Sequence, residues 1–430
     1  MSLLFLAITA CDTDTEEPNS SDFEFTQVFS GDADFSRYVA MGGGVTAGMT
    51  DNSLFMAGQM GSYPNIMASV MSQTDTGGEF TQPYVDDNVG GINIGGNQFW
   101  GPRLFFDGAG PAQVPGTPST EATNVVPGPY SNLAFPFANA IINVAPGVGS
   151  LEGLAAGLAN PWYVRAASSN DATILGDALM QQPTFVTLVP GNDFASYTLF
   201  GASGFPLGPL ELEGPTGMLA GVVGTIQALS SSVPNGVITT LPDPTVSATF
   251  NSVPYNAIPL DEATANQVNA LVNLYNGGLQ FFQSIGQLTA DEVALRTLAL
   301  RVAGDNPVLI QDETLTDLST AELPSWRDAN ENDKISLFAA PSLGVPVDGV
   351  NPANGIWGVT FGLPDFGVLI PSEIDEIQTK LATANAAIAA SVPSGWALFD
   401  LHALYNEVVT TGLQVCLLYT SPSPRDYTRS

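Results

Sequence analysis

The sequence is poor in the residues that bind metals and form disulfides, with one histidine, His402, and two cysteines, Cys11 and Cys416, among 430 residues. This excludes the usual structural zinc sites, which need four histidine or cysteine ligands, and it gives no basis for a disulfide framework. The glycine-rich turn from Gly42 to Gly48 also lacks the GxxxxGK[ST] and GxGxxG spacings of phosphate-binding loops. We therefore expect neither a metal nor a cofactor.

Basic residues are scarce as well. Ten Lys and Arg residues face 42 Asp and Glu residues, which gives a net charge of −32. Such a surface repels phosphate backbones and anionic headgroups, which argues against nucleic acid as a partner. A solvated surface adapted to salty water is the favoured interpretation, and an acidic site for a cationic ligand is the alternative. We expect a monomer whose 44% hydrophobic residues suffice for a sizeable core.

The N-terminal residues 2–11 form a short apolar stretch that ends in small residues and Cys11. This pattern resembles the end of a bacterial lipoprotein signal, in which the cysteine carries the lipid. The stretch is too short to span a bilayer and has no basic segment before it, which is consistent with a start that lies upstream. We expect residues 1–11 to be a lipoprotein signal remnant in which Cys11 carries the lipid. This lipid would anchor the protein in the cell envelope, at the outer membrane facing the periplasm or the surface. A chance apolar start is the alternative.

Residues 12–34 are then predicted to be an acidic, disordered tether, and residues 35–415 a domain in which strands and helices alternate. Strand-like apolar runs occupy residues 38–41, 185–189, 237–241, 308–310 and 397–399. Helical patterns occupy residues 65–71, 218–229, 261–285, 291–301, 372–390 and 401–409, with Asp400 as the N-cap of the last. The alternation predicts an α/β fold with a doubly wound parallel sheet. Two glycine- and proline-rich stretches, 74–161 and 312–371, are predicted to be long loop insertions.

The most informative segment is the predicted strand 38–41 with the glycine-rich turn that follows it. Its glycines allow a sharp turn at the carboxyl end of the sheet, where open α/β folds place their chemistry. The surrounding sequence resembles the SGNH (GDSL) ester hydrolase family, in the form carried by Bacteroidetes-type lipoproteins. Family members read Gly-Asn/Asp-Ser-Leu-Thr-Ala-Gly here, so Gly44, preceded by Gly42 and Gly43, occupies the position of the catalytic serine.

The resemblance extends over residues 35–413 and implies a flavodoxin-like SGNH fold. Further segments that match this lipoprotein subgroup are residues 62–68, 78–83, 160–161, 164–165, 253–256 and 410–412. In this family the oxyanion is bound by the N–H of the serine, the N–H of a glycine in a second block and the side chain of an asparagine in a third. The second block reads Asn-x-Gly-Val-Pro-Gly-Ala in the family, and residues 132–138 place Phe137 where the oxyanion glycine stands.

The third block is partly kept. Asn192 supplies the amide donor and is followed by Asp193, while Pro190 replaces the first glycine of the family pattern. An ordinary strand-to-helix turn is the alternative interpretation of this tripeptide.

A catalytic base is harder to identify. His402 follows Asp400 as Asp-x-His rather than the family's Asp-x-x-His, so we interpret it as a residue in the first turn of a helix, with a catalytic role as the alternative. Ser36, Thr46 and Thr50 do not occupy the nucleophile position, and Thr46 is expected to bond backbone within the turn. Residues 416–430 resemble a translated sequencing adapter, with a divergent natural tail as the alternative, and the family's Asp-x-x-His pair normally lies further downstream.

Loss of the nucleophile costs a comparable triad on the order of 10⁶ in kcat, and one lost oxyanion donor costs roughly 10² to 10³. The resemblance therefore implies an ester hydrolase fold whose catalytic site has degenerated. Two alternatives remain open. The cleft could bind a lipid or glycan ligand without catalysis, with Phe135 and Phe137 supplying apolar contact, or residual esterase activity could use an unrecognised nucleophile.

Overall fold

A computed structural model describes residues 29–108, 110–126, 128–190, 193–202, 210–214, 217–415 and 418–419. Five parallel strands form its central sheet: β1 (Tyr38–Gly42), β2 (Asn132–Ala134), β3 (Phe185–Leu188), β4 (Asn235–Thr239) and β5 (Trp396–Phe399). Their order across the sheet is 2-1-3-4-5, which is the order of flavodoxin-like doubly wound sheets. The predicted α/β class with a parallel sheet is confirmed.

Helices cover both faces of this sheet, and residues of β1 alternate between two apolar clusters. Val39 and Met41 pack in a large cluster that contains the apolar stripes of α8 (Met218–Ser230) and α11 (Pro371–Ala390). Tyr38 and Ala40 point to the other face, where α3 (Tyr63–Met71) covers them. A strand with apolar residues at every position is typical of a sheet that is buried on both sides.

The remaining helices are mostly short. They are α1 (Gly44–Ala47), α2 (Met56–Met60), α4 (Leu151–Ala155), α5 (Pro161–Val164), α6 (Ile174–Met180), α7 (Asp193–Leu199), α9 (Glu262–Ser284), α10 (Ala290–Arg296) and α12 (Leu401–Thr410). Single 3₁₀ turns lie at Pro244–Val246, Ala248–Phe250, Ser319–Ala321, Ala340–Ser342, Pro352–Asn354 and Asp365–Gly367. The prediction that Asp400 caps α12 is confirmed, since its carboxylate accepts from the backbone N–H of Ala403 at 3.0 Å.

The predicted helix 291–301 is too long, because α10 ends at Arg296. Beyond this point side chains of α9 bind the backbone N–H groups that a longer helix would use. Asn276 accepts from the N–H of Leu298, and Asn269 accepts from the N–H of Arg301.

A second apolar cluster is formed by residues between Ile258 and Ile370, and it includes α9 and α10. The predicted strand 308–310 belongs here and not to the parallel sheet, which corrects the prediction. It pairs antiparallel as Leu309–Gln311 with Trp326–Asp328. The cluster also contains two further antiparallel pairs, Ile258–Leu260 with Gly304–Asn306 and Lys334–Ile335 with Val368–Leu369. The insertion between β4 and α11 is therefore larger than the predicted stretch 312–371.

The first insertion, residues 74–161, contains β2 and two hairpins, Ile92–Ile94 with Asn97–Trp100 and Leu104–Phe106 with Pro111–Gln113. A last short antiparallel pair is formed by Gln414–Val415 and Leu418–Tyr419.

The described part of the predicted tether lies against the domain. The backbone N–H of Ser30 donates to the carboxylate of Asp75, and the carbonyl of Ala33 accepts from the hydroxyl of Thr76. Within the described ranges no helix has both the length and the apolar character needed to cross a bilayer. Cys11 and the signal remnant lie outside these ranges.

Candidate functional site

Three of the sequence blocks meet at the carboxyl edge of the sheet. Gly44 begins α1 directly after β1, Phe137 follows β2 by three residues, and Pro190 and Asp193 follow β3. Because β2, β1 and β3 are neighbours, these segments lie at the point where the strand order reverses, which is where open α/β sheets bind ligands. Gly44 is buried and offers a backbone N–H but no side-chain oxygen. Asn192 lies outside the described residues.

Beneath the Gly42–Gly44 turn lies a buried cluster of hydroxyl groups. The Tyr63 hydroxyl lies 3.4 Å from the hydroxyl of Thr46 and 3.4 Å from that of Thr187, which is 2.8 Å from the Tyr38 hydroxyl. Thr46 therefore contacts another side chain, and the expectation that it bonds backbone in the turn is wrong. Burial raises the pKa of Tyr63 above its ordinary value, and the cluster contains no base. These hydroxyls fill the space under the turn, where a Cβ on Gly42 would lie 2.3 Å from Oγ1 of Thr46.

Phe137 has a backbone φ of 61°, in the left-handed region that glycine adopts without cost. A bulky residue there is an outlier that the surrounding packing must stabilise. Its ring packs edge-on against Trp100, with centroids 4.8 Å apart, and contacts Trp162 at 5.6 Å. Phe135, which we expected to supply apolar contact to a ligand, is only 2% exposed and packs against Tyr163 in the core. That part of the prediction is wrong, because Phe135 cannot line a cleft.

Asp193, at the start of α7, connects two of these segments. Its carboxylate accepts from the backbone N–H of Ala140 at 3.1 Å, which ties α7 to the chain that follows β2. Burial raises the pKa of Asp193 to about 6, although this hydrogen bond opposes the shift. A partly protonated carboxyl at neutral pH is compatible with proton transfer, but among the described residues at this edge no hydroxyl is hydrogen-bonded to it.

His402 lies in the first turn of α12, as expected. Its backbone N–H donates to the Thr240 hydroxyl at 2.9 Å, and its imidazole Nε2 lies 3.0 Å from the side-chain amide nitrogen of Asn406. The Asp400 carboxylate accepts hydrogen bonds from the backbone N–H of Ala403 and the hydroxyl of Thr240, and both bonds lower its pKa. It therefore caps the helix, and it is not bonded to the His402 imidazole. Since β3 and β4 separate β5 from β1, the usual strand spacing of about 4.8 Å puts roughly 14 Å between their ends.

A carboxylate cluster that the sequence analysis missed lies where the second insertion meets α11. Oxygen atoms of Glu313, Asp365 and Glu373 all lie within 4.8 Å of one another. Burial and the neighbouring carboxylates raise the pKa of Glu373 to about 9, although its oxygen accepts from the N–H of Ile370 at 2.7 Å. Protonation of Glu373 relieves the repulsion among the three groups. Only the position of Glu373 in the first turn of a predicted helix was visible in the sequence.

We predict that Glu373→Gln raises the free energy of unfolding by about 1–3 kcal/mol at pH 8 and changes it little near pH 4.5. The folded protein keeps the Glu373 proton up to about pH 9, whereas the unfolded chain releases it near the ordinary value of 4.5. Stability is therefore lost as the pH rises through this window, and glutamine removes that loss. Urea denaturation at both pH values measures the effect, with the exposed Glu262→Gln as control. Equal changes at the two pH values would contradict a raised pKa.

The candidate site thus combines Gly44, Phe137 and Asp193, which follow three neighbouring strands, β1, β2 and β3. His402 follows β5, at the opposite side of the sheet. Within the described part of this edge, no nucleophilic side chain is paired with a base. Comparison of the chain with protein-family models, with curated proteins and with solved structures gives no significant match.

Proposed function

We propose that this protein is an SGNH (GDSL) hydrolase-like lipoprotein that has lost ester hydrolysis and acts by binding a ligand. The observation that carries the proposal is the backbone of Phe137, whose φ of 61° lies in the region that glycine adopts without cost, at the position where the resemblance puts the family's oxyanion glycine. The same edge holds Gly44 at the nucleophile position. The 2-1-3-4-5 parallel sheet is compatible with such a fold.

Two independent losses at one edge favour binding over catalysis. Without a nucleophile an acyl-enzyme cannot form, and the expected loss in kcat is on the order of 10⁶. The Phe137 ring fills space beside Trp100 and Trp162 that a glycine would leave open. A repair at one position returns little, because triad and oxyanion groups act as a unit.

The protein is expected to hydrolyse p-nitrophenyl acetate no faster than its own Gly44→Ala variant, because position 44 contributes no hydroxyl in either. Initial rates over pH 6 to 9 measure this, with an acidic protein of matched charge as the background. Residual esterase activity is the competing proposal. A rate well above background that falls in His402→Ala or Thr46→Val would contradict the proposed function and identify the residue responsible.

We also propose that Cys11 anchors the protein in the cell envelope through a covalent lipid. The support is the sequence alone, in which Cys11 follows an apolar run that ends in small residues. Metabolic labelling with an alkyne fatty acid is expected to be lost in Cys11→Ala and kept in Cys416→Ala. Label that persists in Cys11→Ala would rule out this anchor.

A further inference from the structure

An aromatic cleft of about 290 Å³ lies between the first insertion, the end of α7 and the second insertion. Its wall contains five aromatic side chains and one polar side chain, namely Trp100, Phe200, Phe338, Trp357, Phe366 and Ser342. Phe338 and Phe366 are about half exposed, at 46% and 54%. Large apolar side chains that surround a concave surface and face water mark binding sites more often than single exposed residues do.

This cleft adjoins the candidate site through Trp100. One ring contributes to the cleft wall and also packs against Phe137, with centroids 4.8 Å apart. The Trp100 indole is held in place because its N–H donates to the carbonyl of Asn52 at 2.6 Å. On the other side, α7 begins at Asp193 and brings Leu199 and Phe200 into the wall. A molecule in the cleft therefore lies beside the edge that holds Gly44 and Phe137.

The lining selects the chemical class of the ligand. A glycan presents many hydroxyl groups, and a wall with one polar side chain would leave most of them buried without partners. An anionic headgroup is disfavoured by the net charge of −32. A volume of 290 Å³ is too small for a helix or a folded partner and lies at the lower end of small-molecule sites. What fits is an uncharged apolar chain.

A second cleft of about 670 Å³ adjoins the first at Phe338, whose side chain contributes to both walls. Its lining includes Phe105 and Phe106, which are exposed at 42% and 73%, and Ala248, and it is more polar than the first cleft because Asp51 and Thr249 also line it. Asn52, the partner of Trp100, also lines it. Because they share Phe338, the two clefts can hold successive parts of one extended chain, and together they are called the aromatic trough.

We propose that this trough, built around Trp357 and Phe338, binds the hydrocarbon chain of an uncharged lipid, such as an alcohol or a neutral ester. The proposal rests on the proposed function in one respect, since it names the ligand class of a site that binds without hydrolysing. Burial of each additional methylene strengthens binding until the trough is full.

The test is a titration of the full chain with 1-alkanols from hexanol to dodecanol. Calorimetry measures the binding, and so does tryptophan fluorescence, because Trp100 and Trp357 line the first cleft. The dissociation constant is expected to fall about fourfold with each methylene and then to level off. Ser342→Trp, which fills the first cleft from an exposed position, is expected to weaken binding at least tenfold. Ala248→Trp in the second cleft should make the affinity level off at a shorter chain.

Phe281→Ala is the matched control, because Phe281 is exposed at 58% on α9 and lines neither cleft. Alkanoates of the same chain lengths should bind more weakly than the alkanols, and maltooligosaccharides should not bind. Affinity that is independent of chain length, or unchanged by Ser342→Trp, would overturn the proposal, as would tighter binding of the sugars. These outcomes are separate from the esterase assay, since ester hydrolysis would defeat the proposed function and leave the chain-length result intact.

Discussion

Replacing Arg327 with methionine is expected to lower the free energy of unfolding by about 3–5 kcal/mol. The guanidinium binds Asp312 at 2.5 Å and Asp333 at 2.7 Å, and the side chains of all three residues are at most 4% exposed. Methionine fills most of the space but leaves two carboxylates buried without a cation. Arg327 lies opposite Ile310 in the antiparallel strand pair, and Ile310 pairs in turn with Leu363, which lines the first cleft.

Urea denaturation at neutral pH measures this loss, and Arg103→Met is the matched control. Arg103 forms an ion pair with Asp51 at 3.9 Å, with side chains 32% and 45% exposed, so less than about 1 kcal/mol should be lost. Adding Asp312→Asn and Asp333→Asn to Arg327→Met should recover part of the stability, because the buried charges are then removed. A loss below about 1 kcal/mol in Arg327→Met would show that the triad is not a buried, desolvated cluster.

Phe137→Ala is expected to destabilise the fold by about 2–4 kcal/mol, because its ring packs against Trp100 and Trp162. Phe137→Gly removes the same ring but should be more stable than Phe137→Ala by about 1 kcal/mol. Glycine is ordinarily the less stable of the two by about 0.5–1 kcal/mol. The reversed order is expected because the backbone φ of 61° suits glycine and strains alanine.

Phe99 offers the control for this pair, since it lies in a strand near Trp162 and is 51% exposed. There the usual order should hold, with Phe99→Gly less stable than Phe99→Ala. Thermal denaturation of the four variants gives both differences. If Phe137→Gly were the less stable variant at its position, the left-handed conformation and the inferred oxyanion turn would both be wrong.

Much of the sheet could be predicted from local pattern. Apolar runs located β1, β3, β4 and β5 to within a few residues. Every residue of β1 and β3 is buried, and strands covered on both faces are continuously apolar. The three residues of β2 carry no such signal, since Asn132-Leu133-Ala134 is too short for a periodic pattern. The strand at Leu309 was located correctly but assigned to the wrong sheet, because an apolar run does not specify its pairing partner.

The candidate site divides in the same way. The turn at Gly44 follows the predicted strand β1, so its position at the carboxyl edge could be predicted from the order of elements. Phe137 follows β2, which has no sequence signal, so only the family resemblance placed it beside Gly44. The carboxylate cluster joins Glu313, Asp365 and Glu373, and the aromatic trough joins Trp100 to Trp357. These groups are brought together by the packing of two irregular insertions, for which sequence periodicity gives no register.

Because Gly44 has no hydroxyl, position 44 cannot form a covalent acyl-enzyme. Intact-mass spectrometry after incubation with a fluorophosphonate probe tests it most directly, because the probe adds a defined mass to an activated serine or threonine. We predict that the protein keeps its unmodified mass, alone and with a saturating alkanol, while an active serine esterase in the same mixture is labelled fully. Stoichiometric addition of one probe to the folded protein, and none to protein that was heat-denatured before incubation, would contradict the loss of the nucleophile.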